Sequence, residues 1–110
     1  MGEEKEKERK MIKNKRKDRW QNEDTEALFR AVLGLRNVDE ARRFFRDLLT
    51  EAELMEFGNR WKAAQLLAKK VPYTEIGAQT GLSSTTIARV KRWLSKGMGG
   101  YELMIKRSLQ

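Results

Sequence analysis

Between Gly81 and Lys96 the chain carries four bases, Arg89, Lys91, Arg92 and Lys96, and no acid, a local charge of +4. Just ahead of the bases stand the hydroxyl residues Ser83, Ser84 and Thr85, and among them the small Ala88. Hydroxyls and guanidinium groups exchange hydrogen bonds with base edges and phosphates, and a methyl group fits beside the methyl of thymine. Lysines pair with the phosphate backbone. The chemistry these types offer is recognition of a polyanionic duplex. Thr74, a few residues upstream, is assigned to the same surface.

Bond-making chemistry finds little support. The chain has no histidine and no cysteine, so disulfides and Cys/His zinc sites are excluded and the commonest general base is missing. Its carboxylates sit among basic residues on solvated helix faces. There is no glycine-rich phosphate loop and no nucleophile elbow. No enzyme, cofactor or metal is expected. Over 110 residues, 24 Lys and Arg face 16 Asp and Glu, a net charge of +8. Such a balance favours polyanions, chiefly nucleic acid.

The elements that must position these groups can be read from Tyr73 to Arg92. Ile76 is apolar and Gly77 small, as a close helix crossing requires. Gly81 falls four residues later, where a tight turn needs positive φ. Leu82 follows as a core plug, and Ile87 and Val90 return at helical spacing. Together they describe a helix-turn-helix. Ser83 is expected to cap its second helix, leaving Ser84, Thr85, Ala88, Arg89 and Arg92 outward. A helical hairpin of purely structural use is the competing reading.

Upstream, three helix starts are legible. Asn22 precedes Glu23 and Asp24, Asn37 precedes Glu40 by three residues, and Thr50 precedes Glu53 by three. The first helix carries Leu28, Phe29, Val32, Leu33 and Leu35 and ends near Gly34; the second carries Phe44, Phe45, Leu48 and Leu49. The third is expected to run to Val71-Pro72 with one apolar stripe of Leu54, Phe57, Trp61, Ala64, Ala68 and Val71. Gly97, Gly99 and Gly100 mark a loop before a last helix with Tyr101, Leu103, Met104, Ile105 and Leu109. The expected fold is all-α with six helices.

Residues 1–19 form a separate charged, flexible tail, read either as a solvated extension or as a basic arm touching phosphates. Residues 20–110 form the folded domain. With no apolar run near the ~20 residues of a membrane span, and no apolar leader at the charged N-terminus, neither membrane nor secretory signal is expected. The cytoplasm is the default compartment.

On Phe44-Phe45-Arg46-Asp47-Leu48-Leu49-Thr50 with Glu53-Leu54, on Thr80-Gly81, on Thr86-Ile87-Ala88-Arg89-Val90-Lys91-Arg92 and on Gly100-Tyr101, the sequence resembles the tryptophan-repressor superfamily. It is most similar there to bacterial regulators of the YerC/YecD type. The resemblance starts near Trp20. It implies a six-helix, intertwined homodimer that binds double-stranded DNA and regulates transcription, with repression the expected mode. The apolar groups on more than one face of the first two helices agree with a dimer, because a protomer this small cannot cover them all. The resemblance also implies a tryptophan pocket, to which Thr50, Arg60 and Arg89 correspond. The sequence departs from it at Val90 and Trp93, where glycine and serine are typical. Both are expected to fill the pocket, leaving it vestigial and the protein unresponsive to free tryptophan. Two alternatives stand beside this reading: a sigma-factor-like promoter-reading fragment, and a helical interaction module without DNA contact.

Overall fold

The computed structural model describes residues 18–108, and every regular element among them is an α-helix. In chain order these are α1 (Glu23–Leu33), α2 (Val38–Leu48), α3 (Glu51–Ala68), α4 (Tyr73–Thr80), α5 (Ser84–Lys96) and α6 (Gly100–Ser108). Both readings of the charged tail, except for its last two residues, and the placement of Leu109 fall outside the described residues. The chain divides into two compact units, Met1–Phe45 and Arg46–Gln110.

The helix starts follow the side chains that cap them. The Asn22 side chain accepts from the Thr25 N–H at 2.9 Å, and the Asn22 N–H donates to Thr25 Oγ1 at 3.1 Å. At α3 the box is Thr50 and Glu53: the Thr50 N–H donates to Glu53 Oε1 at 3.0 Å and the Glu53 N–H to Thr50 Oγ1 at 3.1 Å. The Thr50 backbone N–H, and after it the Thr50 side chain, hold the Glu53 carboxyl below its usual pKa. At α2 the Glu40 N–H donates to Asn37 Oδ1 at 2.9 Å, but the Glu40 carboxylate reaches one residue further back, to the Arg36 N–H at 2.9 Å. Each bond satisfies a donor that the helix start would otherwise orphan.

In the first unit no residue of α1 is buried. Trp20 and Phe29 meet edge to face with centroids 6.3 Å apart, and each is still nearly half exposed. Phe44 and Phe45 form a second edge-to-face pair at 5.7 Å. Leu33 is 85% exposed.

The second unit has a proper core. Ala63 and Ala64 of α3, Ile76 of α4, and Ile87 and Val90 of α5 are fully or almost fully buried, and Leu66, Leu67, Val71, Leu82 and Ile105 pack against them. Two consecutive alanines give α3 a surface without bulk, which lets the neighbouring helices approach closely. Here the expected α3 stripe needs correcting. Phe57 is 47% exposed and Ala68 is exposed, while Ala63, Leu66 and Leu67 face the core. The helix is apolar around much of its girth, so a single three-four stripe could not choose the inner face.

The end of α3 also differs from expectation. It stops at Ala68, before Val71, in a Schellman turn: the Val71 N–H donates to Leu66 O at 3.1 Å and the Lys70 N–H to Leu67 O at 2.9 Å. Lys70 takes the left-handed position at φ 62°, where glycine is usual, at a strain of about 1 kcal/mol. With no glycine there, the sequence offered only Pro72 as a stop signal. At the other end, Gly100 belongs to α6 rather than to the loop before it. Gly97, which caps α5, is sterically obligatory, since a Cβ there would lie 2.3 Å from the Trp93 carbonyl oxygen.

Candidate nucleic-acid interface

The pair α4–α5 is set by its turn. Gly81 caps α4 in the left-handed conformation, φ 73° and ψ 3°, and its N–H donates to Gly77 O at 2.8 Å. Nothing lies within 4 Å of where a Cβ would stand, so the demand at Gly81 is conformational and not steric. Thr80 closes the corner from inside. Its buried hydroxyl donates to Ile76 O at 2.7 Å and accepts from the Leu82 N–H at 3.2 Å. Nothing local in the sequence marks Thr80 for this task, because a threonine at a helix end looks like a surface residue until both partners are known.

Gly77 sits close to its neighbours, as expected of a small residue at a helix crossing. A methyl there would meet Leu82 O at 3.6 Å and Ile87 Cδ1 at 3.9 Å, both ordinary contacts. The crossing requires a small residue but not glycine.

On α5, Ser83 is the N-cap, accepting from the Thr86 N–H at 3.2 Å. Ile87 and Val90 turn into the core, and Ser84, Thr85, Ala88, Arg89, Lys91 and Arg92 are exposed. Helical spacing puts Ser84, Ala88, Lys91 and Arg92 on one side, with Thr85 and Arg89 beside them. Thr74, on the first turn of α4, is exposed as well. Among the described residues the ion pairs are Arg43–Asp39 at 3.8 Å and Arg60–Glu56 at 3.1 Å. The bases of α5 take part in neither. One of them is held all the same: Lys91 Nζ lies 5.6 Å above the centre of the Tyr73 ring.

The three residues expected to outline a tryptophan pocket have separate surroundings. The Thr50 side chain is engaged with Glu53, and Arg60 pairs with Glu56 while its Nε is buried without a partner. Arg89 is exposed. Val90 is buried in the core, at 0% exposure, whereas Trp93 is not. It is 46% exposed and lines an open cleft of about 770 Å³ together with Trp61, Met98, Tyr101 and Met104. The Trp61 and Tyr101 rings stack there with centroids 6.3 Å apart. Trp93 thus contributes to an apolar surface shared with α6. Among the described residues no group of acids, histidines or cysteines could hold a metal ion, and no helix is long and apolar enough to cross a membrane.

The sequence profile of the Trp repressor protein family matches residues 23–109, that is, all six helices. The chain belongs to the Trp repressor family. An uncharacterized Bacillus subtilis protein, YerC, is 36% identical over 90 residues, which make up 82% of this chain and 86% of that protein. The crystal structure of a TrpR-like protein from Eubacterium eligens superposes with a TM-score of 0.78 at 36% identity, covering 82% of this chain and 93% of the other. A Trp-repressor candidate from Staphylococcus aureus superposes with a TM-score of 0.77 at 32% identity, covering 83% and 91%. The family match thus spans α1 and α2 as well as α4 and α5.

Proposed function

We propose that this Trp-repressor-family chain is a sequence-specific transcriptional regulator, in the repressing mode, that binds duplex DNA as a homodimer in the bacterial cytoplasm. Residues 20–110 are its DNA-binding domain and 1–19 a charged tail. The observation that carries the reading is the outer face of α5: exposed Ser84, Thr85, Ala88, Arg89, Lys91 and Arg92, free of acids, on a helix braced from behind by Ile87 and Val90. Thr74 and Ser83 flank it on the α4 side. A helix presented in this way fits the major groove with its N-terminal side chains at base edges and its basic residues along the phosphates. A two-fold dimer sets two such helices about 34 Å apart, one turn of duplex.

Arg89→Ala tests the assignment. If Arg89 reads a guanine, the variant loses about 1–3 kcal/mol of affinity and its preference relaxes at one base pair. Affinity measured over a panel of single-base changes in a bound duplex gives the answer. An equal loss on every duplex would move Arg89 to the phosphates, and no loss on any would remove it from the interface.

The exposed apolar groups support the dimer. Met98, Leu103 and Met104 are 80%, 47% and 47% exposed in the protomer, and Trp93 adjoins them. A buried Val90, together with a Thr50 side chain already engaged by Glu53, supports a regulator that does not take free tryptophan as co-repressor. Isothermal calorimetry with tryptophan is expected to give no binding heat; micromolar saturation would contradict this.

A further inference from the structure

Tyr73 opens α4 and Lys91 lies two turns into α5, yet the lysine ammonium sits 5.6 Å above the tyrosine ring, within the ~6 Å of a cation–π contact. We propose that Tyr73 is a positioning residue for nucleic acid: its ring face holds the Lys91 ammonium in place before the duplex arrives. The proposal rests on the DNA-binding reading and deepens it by one residue.

The two partners differ in mobility, which gives the contact its direction. Tyr73 is half-buried and packs against the core of Ala63, Ala64, Ile76, Ile87 and Val90. Lys91 is exposed on a long stem whose rotamer freedom would otherwise be lost on binding a phosphate. The fixed ring therefore orders the lysine, not the reverse. An aromatic face is also a suitable holder. A carboxylate partner would cancel the charge that phosphate binding and counterion release depend on, whereas a ring restrains the ammonium and leaves the full charge in place. The same contact ties the first turn of α4 to the middle of α5, so the two helices present one continuous surface.

The test uses the full chain with Tyr73→Phe, Tyr73→Leu, Lys91→Ala and the Tyr73→Leu/Lys91→Ala pair. The probe is a fluorescent 30-base-pair duplex of random sequence, which reads phosphate contacts. Tyr73→Phe is expected to keep the parent affinity and Tyr73→Leu to lose about threefold to fivefold, the scale of an exposed cation–π contact. In the Lys91→Ala background, Tyr73→Leu should cost nothing further. Proton NMR of the free protein provides a readout independent of DNA: the Lys91 ε-methylene should be shifted upfield by the ring and return to its ordinary position in Tyr73→Leu. An equal loss in both lysine backgrounds, or an unshifted ε-methylene in the parent, overturns the proposal. A shifted ε-methylene in a parent that binds no duplex overturns the DNA reading, and the role of Tyr73 with it, while the contact itself stands.

Discussion

Met104→Glu is expected to turn the dimer into a folded monomer and to weaken binding to a two-fold duplex site by more than a hundredfold. Met104 is 47% exposed in the protomer and sits on the cleft that Trp61, Trp93, Met98 and Tyr101 also line. In a two-fold dimer every substitution occurs twice across the same interface. A carboxylate taken out of water there without a partner costs several kcal/mol, and protonating it to avoid that cost is itself unfavourable at neutral pH. Met104 is not among the buried core residues, so the substitution acts first on the dimer. Sedimentation and circular dichroism at micromolar protein separate the outcomes. A monomer with unchanged helix content is the expected pair of results. A variant that still sediments as a dimer and binds DNA normally would place the interface elsewhere.

The second large effect lies behind the recognition surface. Ile76→Ala should destabilise the protein by about 2–5 kcal/mol, a large part of the ~5–15 kcal/mol available to an ordinary domain. Only three large side chains are fully buried among the described residues, Ile76, Ile87 and Val90, and Ile76 is at 0% exposure. Ala63 and Ala64 on the facing helix cannot extend into the cavity, and the turn at Thr80–Gly81 restricts any collapse of α4. Thermal melts at equal protein concentration, needed because dimerisation shifts the midpoint, should fall by roughly 10–30 °C. Ile76→Val, with one methylene less, should lose about 0.5–1.5 kcal/mol. An Ile76→Ala protein melting within a few degrees of the parent would mean that α4 is not packed as described.

What could be read from the chain beforehand follows how local each cause is. The caps at Asn22, Asn37, Thr50 and Ser83 were legible because each bond joins residues three apart. The turn at Gly81 was legible because positive φ and a flanking apolar pattern are both written within a few positions. The inner face of α3 was not, since Phe57 and Ala63 are equally apolar and only the neighbouring helices choose between them. Lys70 was missed because left-handed lysine is a tertiary compromise with no sequence mark. The surroundings of Trp93 were not legible either, because they depend on where α6 lies. The outward face of α5 was legible once Ile87 and Val90 were assigned inward. The Tyr73–Lys91 contact was not, because seventeen intervening residues and a turn separate the partners.

In the proposed dimer the basic outer face of α5, doubled by two-fold symmetry, reads duplex DNA. Selection of bound sequences from a pool of random duplexes, at low and at near-physiological salt, tests it most directly. The expected result is enrichment of a two-fold symmetric site with half-sites about one helical turn apart. Its affinity should fall steeply with salt, by roughly a thousandfold from 50 to 200 mM if six or more phosphates are contacted. A pool that emerges without any enriched sequence, even at the lower salt, contradicts it.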